Sequence, residues 1–524
     1  DGFLQPVDLD VARLRSHLPD LMAIGLSATV ARPSELRAFL AGQPAPERRI
    51  MLADLAREDI RARLKLVWSD PHALDPAKRS AEVTRDIAER LAIVAKELEK
   101  KHKPQAVALF LMRCLFTMFA EDVELLPKKC FQGMLERFRG RAPKLHNALT
   151  DLWQKMNTGG FSAGLEDNVR HFNGGLFKDA AALPIDEGML GELIVAARRD
   201  WRDVEPAIFG TLLERALTAK ERSQLGAHYT PRAYVERLVV PTIMEPLQED
   251  WAAVRVEAQR ALDDGNPDKA RDIVKRFHTQ LCNTRVLDPA CGTGNFLYVA
   301  MELMKRLEGE VLEFASSLGV SGLLELDRVT VDPHNFLGLE LNPRAKEIAE
   351  LVIWIGFIKW QIRTGGQDVI RDPVLRDFKT IECKDAVLAW DKQELLRDQS
   401  GKPITKWDGQ TTKLHPITGE EIPDETARME LYKYVNPRIA TWPEAEFIVG
   451  NPPFVAGQDM REEMGDGYAE ALWASRAKRK WIPNSADFVM YWWEQAAHEL
   501  TAAKSKLRRF GLVTTNSITQ TFNR

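Results

Sequence analysis

Thr284-Arg285-Val286-Leu287-Asp288-Pro289-Ala290-Cys291-Gly292-Thr293-Gly294-Asn295-Phe296 is the stretch on which the reading of this chain turns. A strand-like segment runs into a glycine turn, and an apolar helix starts at Phe296. Gly292 and Gly294 lack a side chain, so the backbone there can bend sharply and approach a ligand. The new helix presents free N–H groups at the same point. This is the nucleotide-cofactor turn of a doubly wound sheet. A bare Gly-x-Gly is weak evidence, because a purely structural turn has the same form. The full string is more specific: Asp288, at the strand end, is placed to receive an amino group.

Working outward, short strand-like runs alternate with helical ones at 284–288, 335–341, 378–383, 446–450 and 510–514. Strands alternating with helices predict a parallel sheet in an α/β domain. The segment 303–332 has room for a long helix and an insertion. A polar stretch containing Pro and Gly, 391–443, is too long for a plain connection and is expected to form a loop or hairpin over the sheet edge. Upstream, residues 1–200 read as helical. Val83, Ile87, Leu91, Val94 and Leu98 recur at three- and four-residue steps, the period of an amphipathic helix. Residues 106–120 follow as a helix apolar on all sides, interrupted by Arg113. His171-Phe172-Asn173-Gly174-Gly175-Leu176-Phe177 reads as a tight turn. The expected organisation is an all-helical domain at 1–200, a connector at 201–240 and an α/β domain at 241–524.

Three further positions carry chemistry. Phe336-Leu337-Gly338-Leu339-Glu340 ends a second strand on an acid able to accept both hydroxyls of a ribose. Cys383-Lys384-Asp385 ends a third on Asp385, which either faces the same cleft or caps a turn. Phe447-Ile448-Val449-Gly450-Asn451-Pro452-Pro453-Phe454 ends a fourth. An adenine amino group is a poor nucleophile because its lone pair is delocalised into the ring. The Asn451 side-chain carbonyl and the Pro452 backbone carbonyl can hold its two protons and turn the nitrogen towards a tetrahedral lone pair. Pro452 and Pro453 stiffen the loop and supply no competing N–H. Phe454 offers a face on which an extruded base can stack. Methyl transfer to such a nitrogen needs no covalent enzyme intermediate, only in-line positioning.

Composition narrows the field. The chain has 524 residues and a net charge of −4, enough for more than one core but with no overall nucleic-acid signature. From Glu470 to Arg524 nine Lys and Arg face four Asp and Glu, with Arg476, Lys478, Arg479 and Lys480 together. Such a cluster is either a phosphate contact or a solvated helix face. Five scattered cysteines, Cys114, Cys130, Cys282, Cys291 and Cys383, predict an intracellular, reducing setting without a zinc module. No metal spacing is read among the histidines. No apolar run reaches membrane-spanning length, and no signal peptide is read. The expected setting is cytoplasmic and nucleoid-associated. The nearest match to a nuclease motif, Glu97-Leu98-Glu99-Lys100, lies on a helix among surface charges.

Together these residues resemble the class I S-adenosylmethionine-dependent DNA adenine-N6 methyltransferases, with motif X before motif I and motif IV after it, the gamma order. The resemblance implies cofactor contacts at Thr230, Asp288, Ala290, Gly292, Gly294, Asn295, Phe296, Glu340 and Asp385. Catalysis falls to Asn451, Pro452, Pro453 and Phe454. Substrate contacts are expected at Asn451, Phe454, Lys478 and Arg479, and no metal is expected. Gly226-Ala227-His228-Tyr229-Thr230-Pro231 looks like motif X. Together with Pro206-Ala207-Ile208-Phe209-Gly210 and Thr514-Thr515-Asn516-Ser517-Ile518, it points to the large MmeI-like methyltransferases of restriction–modification and phage-defence systems. The implied fold is a Rossmann-like doubly wound methyltransferase sheet preceded by the helical domain. The implied partners are double-stranded DNA and defence-system or specificity subunits. Against the family sheet, the chain is expected to stop inside the catalytic domain and to lack target recognition. Alternatives remain: a bifunctional restriction enzyme whose nuclease precedes residue 1, an RNA or protein amino-group methyltransferase, an N4-cytosine enzyme, or a scaffold subunit. A dehydrogenase is disfavoured by the missing third glycine of Gly-x-Gly-x-x-Gly.

Overall fold

The computed structural model describes residues 76–172, 175–201, 204, 230–319, 329–365, 380–407, 412–414, 421–424, 426–479 and 481–514. The segments 206–210, 225–229 and 515–518, Asn173, Gly174 and Lys480 lie outside the described residues. The described residues from Asp86 onward belong to one compact unit.

The helical region contains α1 (Pro76–Glu99), α2 (Pro104–Asp122), α3 (Cys130–Arg137), α4 (Leu145–Thr158) and α5 (Glu187–Ala197). Ile87, Leu91, Val94 and Leu98 of α1 are buried, as their spacing requires. Helix α2 is buried on all sides. Its Phe116 packs edge-on against Phe172, ring centres 5.7 Å apart. Arg113 stays in this interior because its guanidinium donates to the carbonyls of Leu176 and Ala181, at 2.7 and 3.1 Å. A buried charge needs such partners. The region is not wholly helical, which corrects the expectation. Gly159 and Gly160 take positive φ after α4, and the chain reverses into a hairpin of β1 (Gly160–Ser162) and β2 (Asp167–Val169). In the Glu97–Lys100 segment, Lys100 pairs with Glu97 at 2.7 Å on the surface, a solvated helix face.

Helix α6 (Arg232–Val239) continues through a π-helical turn at Val240–Met244, where Pro241 has no N–H to keep the regular ladder. Helices α7 (Glu245–Asp263) and α8 (Pro267–Asn283) pack against each other. The five expected strands follow as β3 (Val286–Asp288), β4 (Phe336–Glu340), β5 (Ile381–Cys383), β14 (Phe447–Gly450) and β15 (Arg509–Leu512). All pair in parallel, in the order β15-β14-β3-β4-β5. The direction of strand order reverses between β3 and β14, the switch point outside which doubly wound sheets bind ligands.

Alternation along the strands sends Leu287, Leu339, Ile448 and Leu512 to one face. They join Leu472 of α11 (Asp466–Arg476) and Trp492 of α12 (Met490–Thr501) in one apolar cluster. Each fully buried side chain of this size contributes about 1.5–3 kcal/mol relative to exposure. Helices α9 (Asn295–Ser317) and α10 (Pro343–Gly365) also pack against the strands.

The stretch between β5 and β14 forms an antiparallel ribbon of nested strand pairs. Leu388–Ala389 (β6) pairs with Arg438–Ile439 (β13), and Lys392–Leu395 (β7) with Tyr432–Val435 (β12). Thr405–Trp407 (β8) pairs with Arg428–Glu430 (β11), and Thr412–Leu414 (β9) with Glu421–Pro423 (β10). It is the predicted hairpin, but it begins three residues before 391.

Candidate functional site

The motif residues converge because parallel strands all end on the same side. Asp288 closes β3, Glu340 closes β4, Asp385 follows β5 and Asn451 follows β14. Asp288 and Asn451 flank the switch point.

Asp288 is fully buried. Its Oδ1 accepts from the Ala290 N–H at 3.0 Å, while its Oδ2 is buried without a hydrogen-bond partner. Burial, reinforced by the nearby Glu340 charge, pushes its carboxyl up to about 8 against the pull of the Ala290 N–H. The adjoining strand must leave room for it. A Cβ on Gly450 would lie 2.5 Å from Asp288 Oδ1. Trp492 Nε1 donates to the Pro289 carbonyl at 3.0 Å and fixes the turn.

Glu340 is also buried. It accepts from the N–H of Gly292 at 2.9 Å and of Asn342 at 2.7 Å. Burial outweighs these bonds and pushes its carboxyl up to about 7. Glu340 therefore already tethers the glycine turn to the end of β4. Gly294 takes φ +80° before α9, and a Cβ there would meet the Ala349 backbone at 3.1 Å. Only glycine combines that φ with that close approach. Phe296 is buried on α9.

Both oxygens of Asp385 are engaged inside the protein. Oδ1 accepts from the N–H of Val387 and of Leu388, each at 2.8 Å, which is the turn-capping arrangement, and Oδ2 accepts from Tyr468 Oη at 2.7 Å. Pro452 and Pro453 are buried, and Phe454 keeps 39% of its surface exposed. The loop beyond is pinned where Phe488 N–H donates to the Val455 carbonyl at 2.8 Å and Gly457 N–H to Asp487 Oδ1 at 3.1 Å.

Thr230 ties these parts together, a contact for which the sequence carries no local signal. Asn451 Nδ2 donates to Thr230 Oγ1 at 3.1 Å, and Asn295 Nδ2 donates to the Thr230 carbonyl at 2.6 Å. Asn451 Oδ1 is left buried and unpartnered. Buried polar atoms are rarely unpaired, and this one lies just past the end of β14, beside the switch point, where it can accept a hydrogen bond.

The chain matches the family model of the MmeI DNA-methyltransferase domain over residues 263–523, and that of the MmeI helicase spacer domain over residues 105–177. It belongs to the MmeI-like methyltransferase family. The methyltransferase match takes in Asp288, Glu340, Asp385 and Asn451, whereas Thr230 lies upstream of it. Among curated relatives, the chain is 22% identical over 446 residues to DNA methyltransferase A of Bacillus subtilis (strain 168), covering 83% of this chain and 43% of that protein. The MmeI-like chain thus spans less than half the length of that relative. The solved structure of the Type IIL restriction–modification enzyme MmeI in complex with DNA shares its fold. That match has a TM-score of 0.57 and 24% identity, and covers 83% of this chain and 51% of the other.

The basic cluster of this MmeI-like chain is divided. Arg476 is buried, with Nε 3.2 Å from Glu494 Oε2, and Arg479 Nη1 lies 3.1 Å from Glu494 Oε1. Lys478 is exposed. Away from the cleft, tertiary packing brings His278, Cys282 and Glu308 within 4.8 Å of one another, a grouping not read from the sequence. Lys305 Nζ sits 2.6 Å from Glu308 Oε2, and Thr330 Oγ1 donates to Glu308 Oε1 at 2.7 Å. An ammonium already neutralises that carboxylate, so the grouping is a packing network. Among the described residues no helix is long and apolar enough to cross a membrane.

The raised Asp288 carboxyl has a testable sign. In the ligand-free protein its protonated form is favoured, so its contribution to stability falls as pH rises from its ordinary value of 3.8 towards about 8. An asparagine in place of the acid cannot ionise. Across about pH 5 to 8, the thermal midpoint of Asp288→Asn therefore climbs relative to wild type. A difference between the two that stays flat with pH would mean that Asp288 is already ionised in the fold.

Proposed function

We propose that this MmeI-like chain is the core of an S-adenosylmethionine-dependent enzyme. It methylates the N6 amino group of an adenine flipped out of duplex DNA, within a restriction–modification or phage-defence system. In this reading residues 1–200 serve as a spacer, 201–240 as a connector and 241–524 as the catalytic domain. The observation that carries it is the buried, unpartnered Asn451 Oδ1, one strand away from the glycine turn and three residues from the exposed ring of Phe454.

The cofactor reading is supported by the unpaired Asp288 Oδ2 and by the open space beside Gly292 in the following turn. Asp288, Ala290, Gly292, Gly294, Asn295, Phe296 and Glu340 would hold S-adenosylmethionine, which supplies an electrophilic methyl group. Asp288 Oδ2 suits an amino donor and Glu340 suits ribose hydroxyls, since each keeps free lone pairs. Asn451 Oδ1 and the Pro452 carbonyl accept hydrogen bonds from the two amino N–H groups of the base and turn its lone pair out of the ring. Phe454 stacks on the base and holds it in line. DNA is favoured over RNA or protein because the Bacillus subtilis relative is named a DNA methyltransferase and MmeI was solved with DNA.

The test is mass spectrometry of nucleosides from a host without adenine methylases that expresses the full-length gene. N6-methyladenine, absent from the empty host, is the expected product. N4-methylcytosine alone, or unmodified DNA, would reject the reading.

A further inference from the structure

The side chain of Asn451 has two ends of nearly equal size, and only one of them suits an amino substrate. Oδ1 accepts a hydrogen bond from an amine N–H, whereas Nδ2 would oppose the amine with another donor. Neighbouring hydrogen bonds therefore decide whether the loop is competent. Among the described residues, the side-chain partner of this amide is Thr230 Oγ1, 3.1 Å from Nδ2.

Thr230 is itself held from several sides. Its carbonyl accepts from Asn295 Nδ2 at 2.6 Å, at the first residue of α9. Two residues on, Arg232 Nη1 pairs with Glu302 of α9 at 2.9 Å and Arg232 Nε with Glu236 at 2.8 Å. The Arg232 and Arg306 guanidiniums hold the Glu302 carboxyl down to about 2 against its burial. The Thr230 backbone is thus held to the helix that begins at the glycine turn, while its side-chain partner Asn451 follows a different strand, 221 residues away in sequence.

We infer that Thr230 is a positioning residue. By accepting from Asn451 Nδ2 it keeps Asn451 Oδ1 turned into the cleft as the acceptor for the substrate amine, and it joins the glycine turn to the catalytic loop. This rests on the proposed amino-group methylation and adds to it a residue whose hydroxyl acts through Asn451. It is a different role from the cofactor contact that the motif X resemblance gave to Thr230.

The test uses the full-length protein and a duplex whose site has been located by mapping N6-methyladenine. Two variants are compared: Thr230→Val, which keeps the shape and removes the hydroxyl, and Thr230→Ser, which keeps the hydroxyl. Single-turnover methylation at saturating S-adenosylmethionine falls roughly 10- to 100-fold in Thr230→Val, the scale of a misoriented catalytic group. It stays within about 3-fold of wild type in Thr230→Ser, and the cofactor Kd changes by less than about 3-fold in both. Binding gives a second readout without turnover. With S-adenosylhomocysteine present, wild type prefers a target adenine to a purine lacking the 6-amino group, and Thr230→Val loses that preference.

A weakened cofactor Kd with an unchanged saturating rate would make Thr230 a cofactor contact and overturn the inference. Equal losses in the valine and serine variants, or no loss in either, would do the same. If Thr230→Val does not fold, the serine variant alone decides, since a loss of 10-fold or more there excludes the hydroxyl as the essential group. Absence of N6-methyladenine with the wild-type gene is a separate result, and it removes the underlying reading instead.

Discussion

Asn451→Ala lowers single-turnover methylation of DNA by roughly 10²–10³-fold, the usual cost of deleting one preorganised polar contact to a reacting group. Two features of the site make this a clean test. Asn451 Oδ1 is buried without a partner, so its removal leaves no protein donor unsatisfied. Among the described residues, the side-chain bond lost is Nδ2 to Thr230 Oγ1, and a threonine hydroxyl can rotate to another partner. Thermal stability should therefore stay within the small range typical of substitutions away from the core, about 0.5 kcal/mol. Cofactor affinity should change little, because the glycine turn is anchored by Glu340, Trp492 and Asn295 and does not depend on Asn451. Parallel measurement of rate, cofactor binding and melting separates the cases. A rate loss matched by lost cofactor binding would move Asn451 from the amine to the cofactor, and full activity would remove it from the chemistry.

The second large effect concerns stability. Glu494 of α12 is 5% exposed and pairs with Arg476, which is 6% exposed, and with the partly buried Arg479. Arg476 also donates to the Val387 carbonyl at 3.0 Å, close to the Asp385 turn. Burial pulls its guanidinium below its ordinary pKa, while Glu494 opposes that shift. Glu494→Ala leaves this cation buried and uncompensated, a loss of about 3–5 kcal/mol. The double variant Arg476→Met/Glu494→Met removes both charges and recovers most of that loss, because paired buried ions cost much of what they return. Urea unfolding of the single and double variants gives the comparison. A Glu494→Ala loss below about 1 kcal/mol would show that water reaches Arg476.

This pair also shows where local reading stops. Arg476, Lys478 and Arg479 stand together in sequence, and a basic cluster in a chain that resembles DNA enzymes invites a phosphate. Their neighbours in sequence could not show that Glu494, eighteen residues on, would receive two of the three. Asp385 is similar. Its place after a strand suggested either a ligand contact or a turn cap, and only the fold revealed the cap together with the Tyr468 hydroxyl, 83 residues away. The helical region was legible through its apolar period, yet its β1–β2 hairpin was not. Strands of three residues are too short to show alternation, and only the glycines at 159 and 160 marked the reversal.

The sequence by itself determined the five strands and the strand-end placement of Asp288, Glu340, Asp385 and Asn451. Those features follow from short-range rules: apolar alternation, glycine where φ is positive, and proline where no N–H is wanted. The tertiary structure alone decided which partner Asn451 engages, which carboxylate oxygens are left without a hydrogen bond and which basic residues are already paired with an acid. Each of those depends on a partner distant in the chain. Hydrogen bonds and buried charges are settled by distances of a few ångströms in space, and sequence separation does not encode them.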